Sequence, residues 1–246
     1  MLTAILSDIH GNREALTACL AHARSSNVGR YVFLGDYVGY GADPGWAVDT
    51  VVSLVERGAT AILGNHDAAV LAAKSQMNEV AREAIEWTRD KLDTSQRDFL
   101  AGLPLSIEED DRLFVHANAW APAEWSYVLG SMEARRSLQA TQRRLTFCGH
   151  VHVPDLYFGT ATGKVTGFRP VDGTPIPLIG QRRWLAVIGA VGQPRDGIPA
   201  ASYGLFDDQT GSLTFARVPY DVETAARKVR AAGRPPVLAL RLEQGY

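Results

Sequence analysis

A chain of 246 residues, 46% hydrophobic and 21% charged, is long enough to bury one sizeable core and has the balance of a folded globular protein, which excludes disorder and fibrous repeats. Its formal net charge of -2 excludes an affinity built on an extended basic surface for nucleic acid or anionic lipid, yet permits a local anion site. Two distant cysteines, Cys19 and Cys148, form no CxxC spacing, no run approaches the ~18 apolar residues of a membrane span, and "MLTAIL" reaches Asp8 too soon for a signal-peptide core, so the expectation is a cytoplasmic protein.

Residues 2–6, 31–34 and 59–63 are short apolar runs, separated by stretches of helical periodicity at 13–24 and 45–57. That alternation predicts βαβ crossovers and parallel strands, with ligands at their carboxyl ends. Residues 78–101 read as two helices broken near Asp93, Thr94 and Ser95. After Pro104 short strands follow at 105–108, 112–115, 145–148, 156–159, 163–168, 184–188, 203–207 and 212–217, several joined by turn signals such as "DD", "ATGK" and "DQTG". One more helix is expected at 221–232, with "RPP" breaking the tail. No linker or repeat interrupts the chain, and a single domain over 1–246 is expected.

The run "VFLGDYVGYGADP" at 32–44 delivers Asp36 into a glycine-rich turn, and a carboxylate at the end of a buried strand needs a neutralising partner. Four other clusters also follow predicted strands: "SDIHGN", "GNHD", "VHAN" and "CGHVHVP". Five of the six histidines fall in these clusters, while His22 lies outside them and reads as an ordinary hydrogen-bonded residue. In Asp8-Ile9-His10 and His150-Val151-His152 the donors are two apart, which on extended backbone points both the same way. Taken singly, each cluster is an ordinary turn or cap. If the strands are parallel neighbours, the clusters meet at one sheet edge and offer two Asp, one Asn and four His besides His66. Such oxygen and nitrogen donors without thiolate suit two divalent cations of the Mn, Fe, Zn or Co type, about 3.5–4 Å apart and sharing a carboxylate.

The ordered motifs Asp8-Ile9-His10, Gly35 to Gly41, Gly64-Asn65-His66-Asp67, His116 and Gly149-His150-Val151-His152 resemble the DxH, GDxxxxG, GNH[DE], H and GHxH series of the calcineurin-like metallophosphoesterases. The wording of "SDIHGN", "GDYVGYG" and "GAVGQPRDG" is similar to the small bacterial and archaeal phosphodiesterase branch typified by YfcE. The resemblance implies an α/β fold, a β-sandwich of two mixed sheets flanked by helices. It also implies that Asp8, His10 and His152 bind one divalent metal, that Asn65, His116 and His150 bind another, and that Asp36 bridges them, with Mn, Fe, Zn, Co or Ni as the metal. The implied reaction is hydrolysis of a small phosphodiester or nucleotide substrate by metal-activated hydroxide, with His66 as general acid. The serine/threonine phosphatases of this superfamily carry Asp and Arg where Gly39 and Tyr40 stand here, which favours diesters; a phosphomonoesterase or a catalytically silent scaffold is the alternative. His66 then lacks a supporting carboxylate, for which Asp43 and Asp67 are candidates.

Three further features stay open on the residues alone. Asn12 either binds phosphate or caps the helix that follows it. Arg195, in a glycine-flanked loop, is either a phosphate-binding cation or an exposed loop residue. Trp120, Trp125 and Tyr127 either stack a base or sugar or pack their own loop.

Overall fold

The alternation in the first 61 residues builds a three-stranded parallel unit: β1 (Leu2–Leu6), α1 (Arg13–Ser25), β2 (Arg30–Phe33), α2 (Pro44–Val55) and β3 (Thr60–Ala61), with β2 between β1 and β3. The computed structural model describes residues 1–72, 77–160 and 162–246. Helix α1 starts where the Asn12 side-chain oxygen accepts from the Ala15 N–H at 3.1 Å, with Glu14 in its first turn and Arg24 in its last, each favourable to the helix dipole.

Next come three helices, α3 (Asn65–Leu71), α4 (Glu79–Arg89) and α5 (Thr94–Ala101), the last opened by a reciprocal Asp93–Gln96 capping box. The strand-rich part contains β4 (Ser106–Glu109), β5 (Arg112–Val115), helix α6 (Ser131–Gln139), β6 (Leu145–Cys148), β7 (Asp155–Gly159), β8 (Val165–Phe168), β9 (Ile176–Pro177), β10 (Arg183–Val187), β11 (Ala201–Asp207) and β12 (Ser212–Val218). Helices α7 (Val222–Ala231) and α8 (Pro236–Gln244) close the chain. The "DD" and "DQTG" turns join the antiparallel pairs β4–β5 and β11–β12 as expected, while Ala161 of "ATGK" lies outside the described residues.

The strands form two mixed six-stranded sheets, in the orders β3-β2-β1-β11-β12-β9 and β4-β5-β6-β10-β7-β8. The expected sandwich fold is therefore present, but a single sheet edge for all five clusters is not. Strand β11 inserts antiparallel beside β1, and β5 and β6 belong to the second sheet. The clusters after β1, β2 and β3 thus come from one sheet, and those after β5 and β6 from the other. Elements absent from the sequence reading are α3, α6, β9 and α8. Helix α8 begins on the second proline of "RPP": proline has no N–H to lose at the first helical position and its fixed φ suits it, so the dipeptide starts a helix as well as ending one.

Side-chain alternation decides which core each strand feeds. On β1, Ile5 faces the space between the sheets, whereas Ala4 and Leu6 face α1 and α2. The inter-sheet core also holds Val32, Leu34, Phe114, Phe147, Phe206, Phe215 and Trp184, and α6 covers the outer face of the second sheet over Leu113, Val115, Leu185 and Val187. Among the described residues, no helix is long and apolar enough to cross a membrane.

Phe147 of β6 ties the two sheets, stacking on Phe114 at 5.6 Å and meeting Phe206 of β11 edge-on at 5.7 Å. Phe147→Ala is expected to cost about 3–5 kcal/mol in urea unfolding. A loss below about 1 kcal/mol would show that the sheets are not clamped at this point.

Candidate metal centre

The loops after β1, β2, β3, β5 and β6 converge at one end of the sandwich and are laced together by backbone hydrogen bonds. Asp8 N–H donates to Gly35 O at 3.1 Å, His10 N–H to Asp36 O at 2.9 Å, and Gly149 N–H to His116 O at 2.8 Å. Such contacts require close approach: a Cβ on Gly64 would stand 2.2 Å from the Asp36 nitrogen, so only glycine lets the β2 and β3 loops touch. The expected extended DxH and HxH segments are not extended. Asp8, His10, Asp36, His150 and His152 have φ of 55°, 50°, 58°, 66° and 66°, the left-handed region that costs a residue with a Cβ free energy. The side chains of each motif still converge, through turns rather than strand pleat.

The predicted ligands assemble with each carboxylate half used. Asp8 Oδ2 accepts from His150 N–H at 2.9 Å and Asp36 Oδ1 from His66 N–H at 2.8 Å, while Asp8 Oδ1 and Asp36 Oδ2 are buried with no hydrogen-bond partner among the described residues. Asp8 Oδ1 lies 3.2 Å from His152 Nε2 and 3.8 Å from His10 Nε2. Asp36 Oδ2 lies 3.7 Å from His10 Nε2 and 3.5 Å from His116 Nε2. His116 Nε2 in turn lies 3.0 Å from Asn65 Oδ1 and 3.2 Å from His150 Nδ1.

The hydrogen bonds of the histidines leave their other ring nitrogens free to receive a cation. The Nδ1 atoms of His10, His116 and His152 lie 2.9, 2.7 and 2.6 Å from the carbonyl oxygens of Val38, Leu34 and Gln193, which can only accept, so each Nδ1 carries its hydrogen. In the neutral ring Nε2 then presents a lone pair. His10 Nε2 and His152 Nε2 nevertheless face each other at 3.1 Å, an arrangement that repels unless a positive charge sits between or beside them. The orphaned carboxylate oxygens point into the same space. Oxygen and imidazole donors without a thiolate fit hard or borderline divalent metals. Among the described residues three groups could hold an ion: Asp8, His10 and His152; Asp36, His116 and His150; and, between them and sharing their members, His10, Asp36 and His66.

The ionisation of these groups fits that demand. Burial would raise Asp36, but His116 and His66 outweigh it and hold the carboxyl well below its ordinary range; His152 does the same for Asp8. Burial lowers His10 and His152 and takes His150 down to about 3, leaving neutral, metal-competent rings. His116 is the exception: burial is outweighed by Asp36, and the ring is pushed up to about 9.

Around the ligands, His66 sits on α3 with its ring 4.8 Å from that of His10 and 4.5 Å from that of Tyr40, and its Nδ1 has no partner among the described residues. Neither carboxylate expected to support it does so. Asp43 pairs with Lys228 at 2.8 Å, and Asp67 turns the other way. Its two oxygens accept from Asp36 N–H at 2.7 Å, Tyr37 N–H at 2.9 Å, Val38 N–H at 3.3 Å and Gly64 N–H at 3.0 Å. Asp67 is thus the residue that fastens the Asp36 loop to the Gly64 loop, a role its place in "GNHD" did not disclose. Burial, followed by the nearby Asp36, pushes it up to about 7 despite those donors.

Asn12 proves to be the cap: Oδ1 holds the start of α1, and Nδ2 donates to Gly192 O at 2.8 Å, so both polar atoms are engaged. Arg195 does return to the site. Its guanidinium is held by Gln193 Oε1 at 2.9 Å and lies 5.7 Å from the Tyr40 ring centre. His22 donates to or accepts from Tyr203 at 2.7 Å, the ordinary role expected of it.

Asp67→Ala removes the acceptor of four buried N–H groups and is expected to destabilise the metal-free chain by at least about 3 kcal/mol in urea unfolding. A loss below about 1 kcal/mol would mean that the loops hold without it.

Comparison with known proteins agrees with this geometry. The chain is 34% identical over 250 residues to an uncharacterized protein of Methanocaldococcus jannaschii, covering 99% of this chain and 98% of that protein. The crystal structure of a metallophosphoesterase from Sphaerobacter thermophilus is 35% identical and superposes with a TM-score of 0.89, covering 100% of this chain and 99% of that one. A hypothetical protein of Pyrococcus horikoshii OT3 shares the fold at 17% identity, with a TM-score of 0.81 and coverage of 100% and 98%. Residues 1–211 match the calcineurin-like phosphoesterase superfamily domain, and the chain belongs to that family of metal-dependent phosphoester hydrolases.

Proposed function

We propose that this chain acts as one domain, a dinuclear phosphoesterase whose substrates are small phosphodiesters or nucleotides and whose native metal is Mn or a similar divalent ion. The observation that carries this reading is Asp36 Oδ2, without a hydrogen-bond partner among the described residues, 3.7 Å from His10 of one cluster and 3.5 Å from His116 of the other, where one oxygen or its carboxylate can serve both. Asp8, His10 and His152 would hold one ion, Asn65, His116 and His150 the second, and Asp36 would lie between them. When bound, such a pair supplies Lewis-acid polarisation of phosphate oxygens and lowers the pKa of water.

His66 moves the proton in this reading. Burial holds it down to about 4, so the resting ring is neutral, and among the described residues its Nδ1 is tied to no carboxylate. A phosphate anion beside the ring favours uptake of a proton from solvent, and the imidazolium so formed would pass that proton to the leaving oxygen and return to the neutral ring. Arg195, whose guanidinium is held by Gln193, would bind a phosphate oxygen from the rim of the site.

The preference for diesters rests on Gly39 and Tyr40. A Cβ at Gly39 would stand 2.4 Å from His66 Nδ1, so a side chain there would touch the ring that a carboxylate supports in the serine/threonine phosphatases. Here the position is bare. Tyr40 fills the neighbouring space against His10 and His66, where those phosphatases place an arginine for a terminal phosphate.

Mn-loaded protein is expected to hydrolyse bis(p-nitrophenyl) phosphate faster than p-nitrophenyl phosphate, and His66→Ala to lower kcat by about 100-fold or more with unchanged metal content. Equal turnover in that variant would remove His66 from the chemistry. Inertness of the loaded wild type towards both esters and a nucleotide panel would favour a silent scaffold. Tyr40→Arg should shift the rate ratio towards the monoester, and an unmoved ratio would place selectivity elsewhere.

A further inference from the structure

Next to the metal centre lies a cavity of about 630 Å³, within the range of pockets that hold drug-sized or nucleotide-sized ligands. Its two walls differ in kind. One is aromatic, from the loop after β5: Trp125 meets the His116 ring edge-on at 5.8 Å, and Tyr127 stacks on the His150 ring at 4.1 Å with only 15° between planes. The other, among the described residues, is apolar: Ala68, Ala69, Ala72, Ala81 and Met77. Asn78 and Glu124 add polar edges.

The aromatic loop is preorganised. Asn118 Nδ2 donates to Ser126 O at 2.9 Å and its Oδ1 accepts from Ala121 N–H at 2.9 Å, closing the loop around Trp125 just before Tyr127, while Trp125 itself adopts φ 55°. Tyr127 has one face on His150, yet 46% of the residue remains exposed. A ring that only needed to cover a histidine would gain more by burying its second face. An exposed aromatic that lines this cavity with one face fixed on His150 is built as a stacking platform.

We infer that this cavity is a nucleobase subsite: Tyr127 and Trp125 stack the base of a nucleotide or nucleoside-bearing diester whose phosphate lies on the metal centre. The inference rests on the phosphoesterase reading and narrows its substrate class from small phosphate esters in general to those carrying a base. Stacking on an aromatic face is tolerant of base identity, so the subsite selects for a base rather than for one particular base.

The test is calorimetric binding of adenosine 5′-monophosphate, ribose 5-phosphate and inorganic phosphate to the Mn-loaded wild type, Tyr127→Ala, Tyr127→Phe and Trp125→Ala. The nucleotide is expected to bind wild type at least about fivefold more tightly than ribose 5-phosphate. Tyr127→Ala should abolish that gap, Tyr127→Phe should restore it, and Trp125→Ala should narrow it, all with phosphate affinity within about twofold of wild type. Equal affinity of wild type for the nucleotide and the sugar phosphate, or a gap that survives both alanine substitutions, would overturn the subsite while leaving the phosphoesterase reading standing. Failure of wild type to bind phosphate at all would overturn both.

Discussion

Two carboxylate oxygens, Asp8 Oδ1 and Asp36 Oδ2, are buried beside histidine nitrogens with no hydrogen-bond partner among the described residues, and the rest of the site is organised to keep them there. An uncompensated buried charge is among the costliest features a fold can carry. Five donor residues add backbone strain of about 1–3 kcal/mol each in the left-handed region. Such a centre persists only if its surroundings over-determine it. The backbone lacing between loops, the Asp67 fastening and the carbonyl locks on His10, His116 and His152 are that over-determination.

The sandwich explains why the donors come from both sheets. One parallel sheet would line the clusters up along an edge, open to water on both faces. Here the loops after β1 and β2 face those after β5 and β6, and the inter-sheet core of Ile5, Phe114, Phe147 and Phe206 holds the two sets in register. The clustered histidines end up almost fully buried, with His10 at 1% and His116 at 0% exposure. At that burial, electrostatic interactions are strong enough to discriminate between an empty and a charged centre. The cavity lined by Tyr127 and Trp125 adjoins the same centre, and these two aromatics pack on the rings of His150 and His116.

Much of this was legible in the residues. Donor types, the order of the clusters and their position after strands were all in the text of the chain, because a polar residue that ends an apolar run is visible without coordinates. What stayed hidden was conformation and second partners. Asp8 and His10 look like alternate positions of a strand, and only the fold shows a positive φ at each. Asp67 looks like a companion of its neighbour His66, yet its hydrogen bonds run to Asp36, Tyr37 and Val38, some thirty residues away in sequence, which no local pattern encodes. Asn12 offered two roles to the same atoms, and the choice between them depended on Gly192, far along the chain. Helix α8 was concealed by a proline pair that can stop or start a helix according to its context.

The claim that one carboxylate serves two clusters is tested most directly by electron paramagnetic resonance of the Mn-titrated chain alongside its metal content. The account predicts two Mn per wild-type chain with a spin-coupled spectrum, and an Asp36→Ala variant in which the coupling is lost. A single uncoupled ion in the wild type, or coupling that survives in the Asp36 variant, would contradict it.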